Sequence, residues 1–274
     1  MDRYAVMGNP VAHSKSPQIH ALFAEQCGQQ LSYEKLLVPL DGFAAALDAF
    51  QASGGKGCNI TLPFKEQAWA LADLRSERAE AAGAVNTFLF DAQGRRYGDN
   101  TDGVGLVRDL RDNHHTRLTG SRVLVLGAGG AVHGLLPTLL QEHPAEVVIA
   151  NRTLSRAQQL AALFAGAVPV RAVSFTHVAG EAPFQVVING TSTGLSGEVP
   201  PLPPAVVTGT VCYDMLYGDT PTPFLQWAAR HNAARTIDGL GMLVEQAAEA
   251  FFLWRGVRPA TAPVIEALRQ APPA

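Results

Sequence analysis

The sequence predicts an α/β protein of two domains with a C-terminal helical segment that returns to the first, and three observations carry that reading. Strand-like and helix-like segments alternate from the first residues onward. A short apolar run at 123–126 leads straight into the glycine-rich stretch Gly127-Ala128-Gly129-Gly130-Ala131. A helical pattern rich in Ala, Leu and Phe, from 241 to about 256, follows the last strand-like segment and is too apolar for a free surface tail. With 274 residues, 47% hydrophobic and 16% charged, the chain can bury a large core and has room for both domains.

The individual elements follow from periodicity and turn residues. Residues 4–7 read as a strand, 17 to about 27 as a helix, 33–38 as a strand and 42–53 as a helix. Residues 57–61 resemble a short third strand, 65–71 and 76–82 read as helices, and 84–90 with 95–98 as a hairpin. Together they make one compact α/β unit, residues 1–103. Apolar residues at 104, 106, 107 and 110 predict a helix linking this unit to the next. The second domain, 104–240, carries strands at 123–126, 146–150, 186–189 and 211–214, with a last one near 235–237. A proline-rich stretch at 199–204 reads as a surface loop. The segment 241–274 is expected to pack back across the first domain, making it discontinuous, with its end, Ala271-Pro272-Pro273-Ala274, frayed. No internal repeat or low-complexity segment is visible.

An apolar strand ending at glycine reads as the first half of a Rossmann-type unit, in which the glycines let the backbone approach a pyrophosphate beside a helix N-terminus. The turn departs from the strict pattern, because Val132 stands where a third Gly or Ala is expected and Gly134 follows two positions on. A plain strand-to-helix turn is the structural alternative. The second strand ends at Asn151-Arg152-Thr153, where an NAD-binding unit usually carries Asp or Glu for the ribose hydroxyls. A guanidinium there can hold a 2′-phosphate, whereas a carboxylate would repel it, so the expected cofactor is NADP. Arg156 either adds a second phosphate contact or lies on a solvated helix face.

A net charge of −3 and the absence of a long basic run make nucleic acid and anionic membrane unexpected partners. Cys27, Cys58 and Cys212 are too few and scattered for a disulfide framework, and none pairs with a nearby histidine as a metal ligand. The adjacent pair His114-His115 falls in a polar stretch and reads as surface linker, so no metal site is expected. The start lacks a basic segment followed by an apolar core, and the apolar stretch 123–140 is broken by glycines, His133 and Pro137. A cytoplasmic location with no membrane span is the expectation.

Outside the nucleotide turn, polar residues crowd two loops that follow strands, where ligands bind in open α/β sheets. In Asn9-Pro10-Val11-Ala12-His13-Ser14-Lys15-Ser16-Pro17, Ser16 and Pro17 have a structural reading as N-cap and first helical residue. Ser14 has none and reads as ligand-binding. In Asn59-Ile60-Thr61-Leu62-Pro63-Phe64-Lys65 the lysine is either an ordinary surface residue or a general acid and base, a role suited to a lysine partly withdrawn from water and held by a carboxylate. Asp102, in Asn100-Thr101-Asp102-Gly103, is the candidate carboxylate and equally fits as a helix N-cap. Asn86 is either a strand-end residue or a two-way hydrogen-bonding group for a polyol.

These motifs resemble the shikimate dehydrogenase family nearly end to end, through residues 8–17, 59–65, 83–86, 100–103, 127–131, 151–153, 189–194 and 238–243. Asn151-Arg152-Thr153 is more similar to the NADP-dependent bacterial type than to the quinate/shikimate relatives. The resemblance implies that Ser14, Ser16, Thr61, Lys65, Asn86, Asp102, Tyr217 and Gln246 surround the small-molecule substrate, with Lys65 and Asp102 at the hydroxyl being oxidised. It implies cofactor contacts from Gly127, Ala128, Gly129, Gly130, Ala131, Asn151, Arg152, Thr153 and Arg156, from Met215 and Gly239 near the nicotinamide, and from Glu77. Thr191 and Ser192 line the same cleft on this reading. Two departures stand out: Val132-His133 replaces a pair that is often Ser-Arg in the family, and Tyr217-Gly218-Asp219-Thr220 differs from the usual sequence after the tyrosine.

The implied reaction is NADPH-dependent, reversible reduction of 3-dehydroshikimate to shikimate in chorismate and aromatic amino-acid biosynthesis. Lys65 protonates the forming alkoxide and Asp102 keeps it in position. Cleft closure around Gly103 and Gly239 is a further expectation, as is a monomer or homodimer. A quinate- or NAD-accepting dehydrogenase on the same scaffold is the enzymatic rival, distinguished by Arg152. A metabolite sensor is the non-catalytic one, and should have lost Lys65 or Asp102 or gained an effector domain; neither is seen.

Overall fold

The computed structural model describes residues 1–181 and 183–270, so the expectation for 271–274 lies outside the described residues. The chain divides into two compact units, 1–105 with 244–270 and 106–243.

The first unit runs β1 (Asp2–Gly8), α1 (Ser16–Gln26), β2 (Leu31–Leu37), α2 (Phe43–Ala52), β3 (Gly55–Ile60), α3 (Lys65–Ala70), β4 (Leu74–Arg75), α4 (Glu77–Ala82), β5 (Thr87–Phe90), β6 (Arg96–Asp99) and the start of α5 (Asp102–Arg108). Its strands lie in the order β2-β1-β3-β5-β6-β4. β1 pairs parallel with β2 and β3, while β5 is antiparallel to both β3 and β6. Central β1 is buried along Tyr4–Gly8 and correspondingly apolar, whereas β2 at the edge keeps Ser32, Glu34 and Lys35 exposed. α4 starts where Ser76 accepts from the Ala79 amide and stops at left-handed Gly83. Two-residue β4 is too short to show alternation, which is why the sequence pattern does not reveal it.

The second unit begins with the rest of α5, which widens into a π-helical turn at Asp109–Asn113 where a plain helix to 110 was expected. Buried Asp109 occupies that turn, accepting from the Tyr213 hydroxyl at 2.7 Å and the Asn113 amide at 2.9 Å. Gly241 makes room for it, since a Cβ there would lie 1.9 Å from Asp109 Oδ1. The unit continues with β7 (Arg122–Leu126), α6 (Gly130–Gln141), β8 (Glu146–Asn151), α7 (Leu154–Leu163), β9 (Val170–Ser174), β10 (Val186–Asn189), β11 (Val211–Asp214), α8 (Pro223–Arg230) and β12 (Arg235–Ile237). All pairings are parallel in the order β12-β11-β10-β7-β8-β9, the doubly wound arrangement whose direction reverses between β7 and β10. Alternate residues feed two cores: Val123, Val125, Val147 and Ile149 on one face, Leu124, Leu126, Val148 and Ala150 on the other. The stretch 199–204 is not simply a surface loop, because Pro200 is buried and Leu202 joins the second of these cores.

α9 (Leu240–Arg255) and α10 (Ala262–Gln270) close the chain. The C-terminal part of α9 lies in the first unit: Trp254 stacks on Tyr4 at 4.4 Å and donates from Nε1 to the Phe88 carbonyl at 2.9 Å. Its apolar residues are thus spent on a core, as the sequence pattern requires.

His20 of α1 is fully buried in the same aromatic cluster, stacked on Tyr33 at 4.4 Å with Trp254 at 5.2 Å. Burial pushes its pKa down to about 3, against a small opposing influence from Asn59. An unfolded histidine takes up a proton near pH 6.5 while the folded one resists until about pH 3, so stability falls as pH drops below about 6.5. In urea denaturation between pH 7 and pH 4, the wild type should lose of the order of 1 kcal/mol per pH unit more than His20→Phe. Parallel pH profiles would show that His20 is not held neutral.

Candidate active site

Lys65 opens α3 and Asp102 opens α5, and their side chains meet with Nζ 2.5 Å from Oδ2. The side chains are 25% and 14% exposed, so the pair is partly withdrawn from water. Asp102 does not cap its helix: it is the first helical residue, and its other oxygen accepts from Asn86 Nδ2 at 2.8 Å. Asn86 is buried just before β5, and its Oδ1 accepts from the Thr101 amide at 2.9 Å. The Val85 amide donates to the Lys65 carbonyl at 2.9 Å, which draws the start of α3 beside this strand. Thr101 Oγ1 reaches Gln246 Oε1 of α9 at 3.4 Å. The fold therefore gathers Lys65, Asn86, Thr101, Asp102 and Gln246, from four separate segments of the chain, at one place.

The loops after β1 and β3 lie side by side because those strands are parallel neighbours. The Asn9 amide donates to Leu62 O at 3.0 Å and the Thr61 amide to Met7 O at 2.9 Å. The Asn9–Pro10 and Leu62–Pro63 peptides in these loops are cis. Ser16 is not the N-cap of α1: that position is Lys15, without a side-chain cap bond, and Ser16 is the first helical residue. Its hydroxyl instead accepts from Ser14 Oγ at 3.1 Å, so the two serines form a pair at the carboxyl end of the sheet.

In the second unit, Gly127 adopts φ +104°, a conformation that L side chains rarely take. α6 starts at Gly130 with Gly129 as N-cap, no side-chain cap bond and no acid in the first turn, leaving its first amides for another acceptor. A Cβ at Gly129 or Gly130 would meet nothing within 4 Å, so the backbone faces open space. Ala131 is likewise exposed. Val132 can replace a third glycine because it is part of the core and the close approach is supplied from the other side, where a Cβ on Gly190 would lie 2.5 Å from Val132 Cγ2. His133 sits edge-on to Phe164 at 5.7 Å. At the tip of β8, Asn151 Nδ2 donates to Thr153 O at 2.9 Å while Arg152, Thr153 and Arg156 are exposed. Gly239 packs on Met215, whose carbonyl would be 2.3 Å from an added Cβ. Half-buried Tyr217 follows in the same segment, and burial raises the pKa of its phenol. Glu77 belongs to the first unit, exposed in the first turn of α4, where its charge complements the helix dipole.

Sequence reasoning passed over Asp214, which ends the apolar strand β11. Fully buried, it accepts from Thr222 Oγ1 at 2.5 Å, the Leu216 amide at 3.1 Å and Asn189 Nδ2 at 3.2 Å. Burial pushes its carboxyl pKa up. Asn189 Oδ1 in turn accepts from the Thr191 amide and hydroxyl at 3.1 and 2.7 Å, so one carboxylate braces the segments after β10 and β11. An acid closing an otherwise apolar strand was the available signal. Among the described residues there is no cluster of three or more potential metal ligands, and no helix is long and apolar enough to cross a membrane.

Comparison with known proteins places this geometry among close relatives. Residues 6–88 match the shikimate dehydrogenase substrate binding domain, 109–195 match shikimate / quinate 5-dehydrogenase, and 239–269 match the shikimate 5'-dehydrogenase C-terminal domain. The shikimate dehydrogenase (NADP(+)) of Alkalilimnicola ehrlichii is 65% identical over 269 residues, 98% of each chain. Among solved structures, the Ael1 enzyme from Pseudomonas putida is 47% identical with a TM-score of 0.94 over 99% of both chains. Shikimate 5-dehydrogenase from Thermus thermophilus, in complex with NADP(H) and shikimate, is 36% identical with a TM-score of 0.87, covering 98% of this chain and 99% of that one.

Asp214→Ala would strip two buried donors, Thr222 Oγ1 and Asn189 Nδ2, and the part-buried Leu216 amide of their acceptor at once. Urea denaturation should register a loss of about 3 kcal/mol or more. A loss below about 1 kcal/mol would show that the two segments are braced by other contacts.

Proposed function

The chain belongs to the shikimate dehydrogenase family, and on that footing we propose how its own residues carry the reaction. It is an NADP-dependent oxidoreductase that interconverts 3-dehydroshikimate and shikimate in the shikimate pathway. The observation that carries the residue-level reading is the Lys65–Asp102 pair, 2.5 Å apart and partly shielded from water, with Asn86 on the second carboxylate oxygen.

The residues present fit NADP. The space above Gly129 and Gly130 is what a Cβ would fill, the first turn of α6 offers amides without a capping side chain, and Arg152 follows β8 where a carboxylate would oppose a 2′-phosphate. In this proposal Gly127, Ala128, Gly129, Gly130 and Ala131 cradle the pyrophosphate, Asn151, Arg152, Thr153 and Arg156 meet the adenosine phosphate, and Met215 and Gly239 border the nicotinamide. Glu77 takes its place in the first turn of α4 and has no assigned contact. When bound, NADPH supplies the hydride that reaches the C3 carbonyl carbon.

Lys65 holds its ammonium at the C3 oxygen, stabilises the developing oxyanion and gives it the proton from Nζ; in the oxidative direction its amine takes that proton back. Asp102 keeps Nζ in place, a task for which its two oxygens are divided between Lys65 and Asn86. Ser14, Ser16, Thr61, Asn86, Tyr217 and Gln246 pair with the carboxylate and remaining hydroxyls, so an analogue lacking one leaves a polar group unmatched. The proposed compartment is the cytoplasm.

The deciding experiment is the initial rate of nicotinamide reduction with shikimate, run with NADP⁺ and NAD⁺ and repeated with quinate. Shikimate oxidation with a strong NADP⁺ preference is expected; equal use of NAD⁺ or comparable quinate turnover would overturn the specificity. Arg152→Ala should raise the KM for NADP⁺ by about 10-fold or more with little effect on NAD⁺, the loss of one charge-assisted contact. Lys65→Ala should lower kcat by about 10³-fold with a much smaller change in the KM for shikimate, and a variant retaining most of its kcat would remove the lysine from the proton transfer.

A further inference from the structure

The orientation of the Asn86 amide is decided by two neighbours that admit no choice. The Asp102 carboxylate only accepts, so Nδ2 must face it at 2.8 Å, and the Thr101 amide only donates, so Oδ1 must face that at 2.9 Å. With Oδ1 so placed, the Thr87 hydroxyl, 2.9 Å away, has to donate its proton to it. The Thr87 oxygen then accepts, and Asn59 Nδ2 supplies the donor at 3.0 Å across the β3–β5 pair in which Asn59 and Thr87 stand opposite each other. That turns Asn59 Oδ1 towards the Tyr33 hydroxyl, which donates to it at 2.7 Å. Every donor in the series Tyr33, Asn59, Thr87, Asn86 points the same way, and the series ends on Asp102 and Lys65. Thr87 is completely buried, so no water can take over its part.

We infer that Thr87 is a positioning residue for the hydride-transfer reaction: its hydroxyl, a second donor to Asn86 Oδ1 beside the Thr101 amide, reinforces the orientation that keeps the Asn86 nitrogen towards Asp102, and so steadies the carboxylate that orients Lys65. A flipped Asn86 would set its oxygen against an oxygen of Asp102, and Lys65 would lose its support. The inference rests on the proposed role of Lys65 in proton transfer. Tyr33, whose ring is stacked on His20 with an interplanar angle of 8°, anchors the far end of the series.

The test uses the full chain with shikimate and NADP⁺. Thr87→Val keeps the branched shape that suits β5 and removes only the hydroxyl; its kcat should fall by about 10-fold or more while the KM for shikimate changes by less than about 3-fold. Thr87→Ser, which restores the hydroxyl, should recover kcat to within about 2-fold of wild type. A kcat retained in Thr87→Val, or a Thr87→Ser variant as slow as Thr87→Val, overturns the inference, since the second result would assign the loss to packing of the methyl group. If Thr87→Val does not fold by circular dichroism, Tyr33→Phe replaces it, with an expected fall in kcat of about 2- to 5-fold and an unchanged kcat as the overturning result. Wild-type activity in the same assay separates the two levels: an inactive wild type overturns the reading of Lys65 and this inference with it, whereas an active wild type beside an unaffected Thr87→Val overturns the inference alone.

Discussion

A lysine and an aspartate drawn partly out of water lose hydration that only well-placed partners can replace, and the polar interior of the first unit is arranged around that demand. The Lys65–Asp102 contact uses one carboxylate oxygen and leaves the other to be satisfied, which Asn86 does from a buried position. Asn86 in turn needs a further acceptor for its Nδ2, which Thr101 Oγ1 supplies, and donors for its Oδ1, which come from the Thr101 amide and the Thr87 hydroxyl. The ion pair adds little to stability by itself; what it brings is a defined place for a mobile ammonium group on a long side chain.

The second unit solves a different problem, that of presenting backbone rather than side chains. Parallel strands buried on both faces lift their carboxyl ends to a common edge, and glycine at 127 permits the turn that aims the start of α6 at that edge. Asp214 and Asn189 tie down the segments after β10 and β11. Each unit thus places a buried polar side chain beneath a segment that follows a strand, Asn86 against Asp102 and Asp214 against the Leu216 amide. This is the usual way for a rigid scaffold to hold loops that must meet a ligand.

Much of this was legible beforehand where a signal is local. The strands at 186–189 and 211–214 stand out because buried parallel strands are short apolar runs bounded by turn residues. Lys65 and Asp102 were visible as polar residues following strands. By contrast β4 has only two residues and no pattern to read. The roles of Ser16 and Asp102 as helix caps were plausible from neighbours in sequence, yet their side chains turn to Ser14 and Lys65. Local propensity cannot foresee such a diversion, because the competing partner lies elsewhere in the chain for Asp102 and in the shape of a loop for Ser16.

The sequence by itself determined the α/β class, the glycine-rich turn after an apolar strand and the basic Arg152 at the tip of the next one, and the apolar character that obliges the end of the chain to be buried. Each of these is a statement about residues within one element or one turn, where periodicity and side-chain chemistry suffice. Only the tertiary structure decided that Asn59, Thr87, Asn86 and Asp102 form a single directed series, that Gly190 provides the close approach missing at Val132, and that Asp214 braces two segments. Hydrogen-bond direction and close packing depend on which strands become neighbours, and that is settled when the sheets assemble.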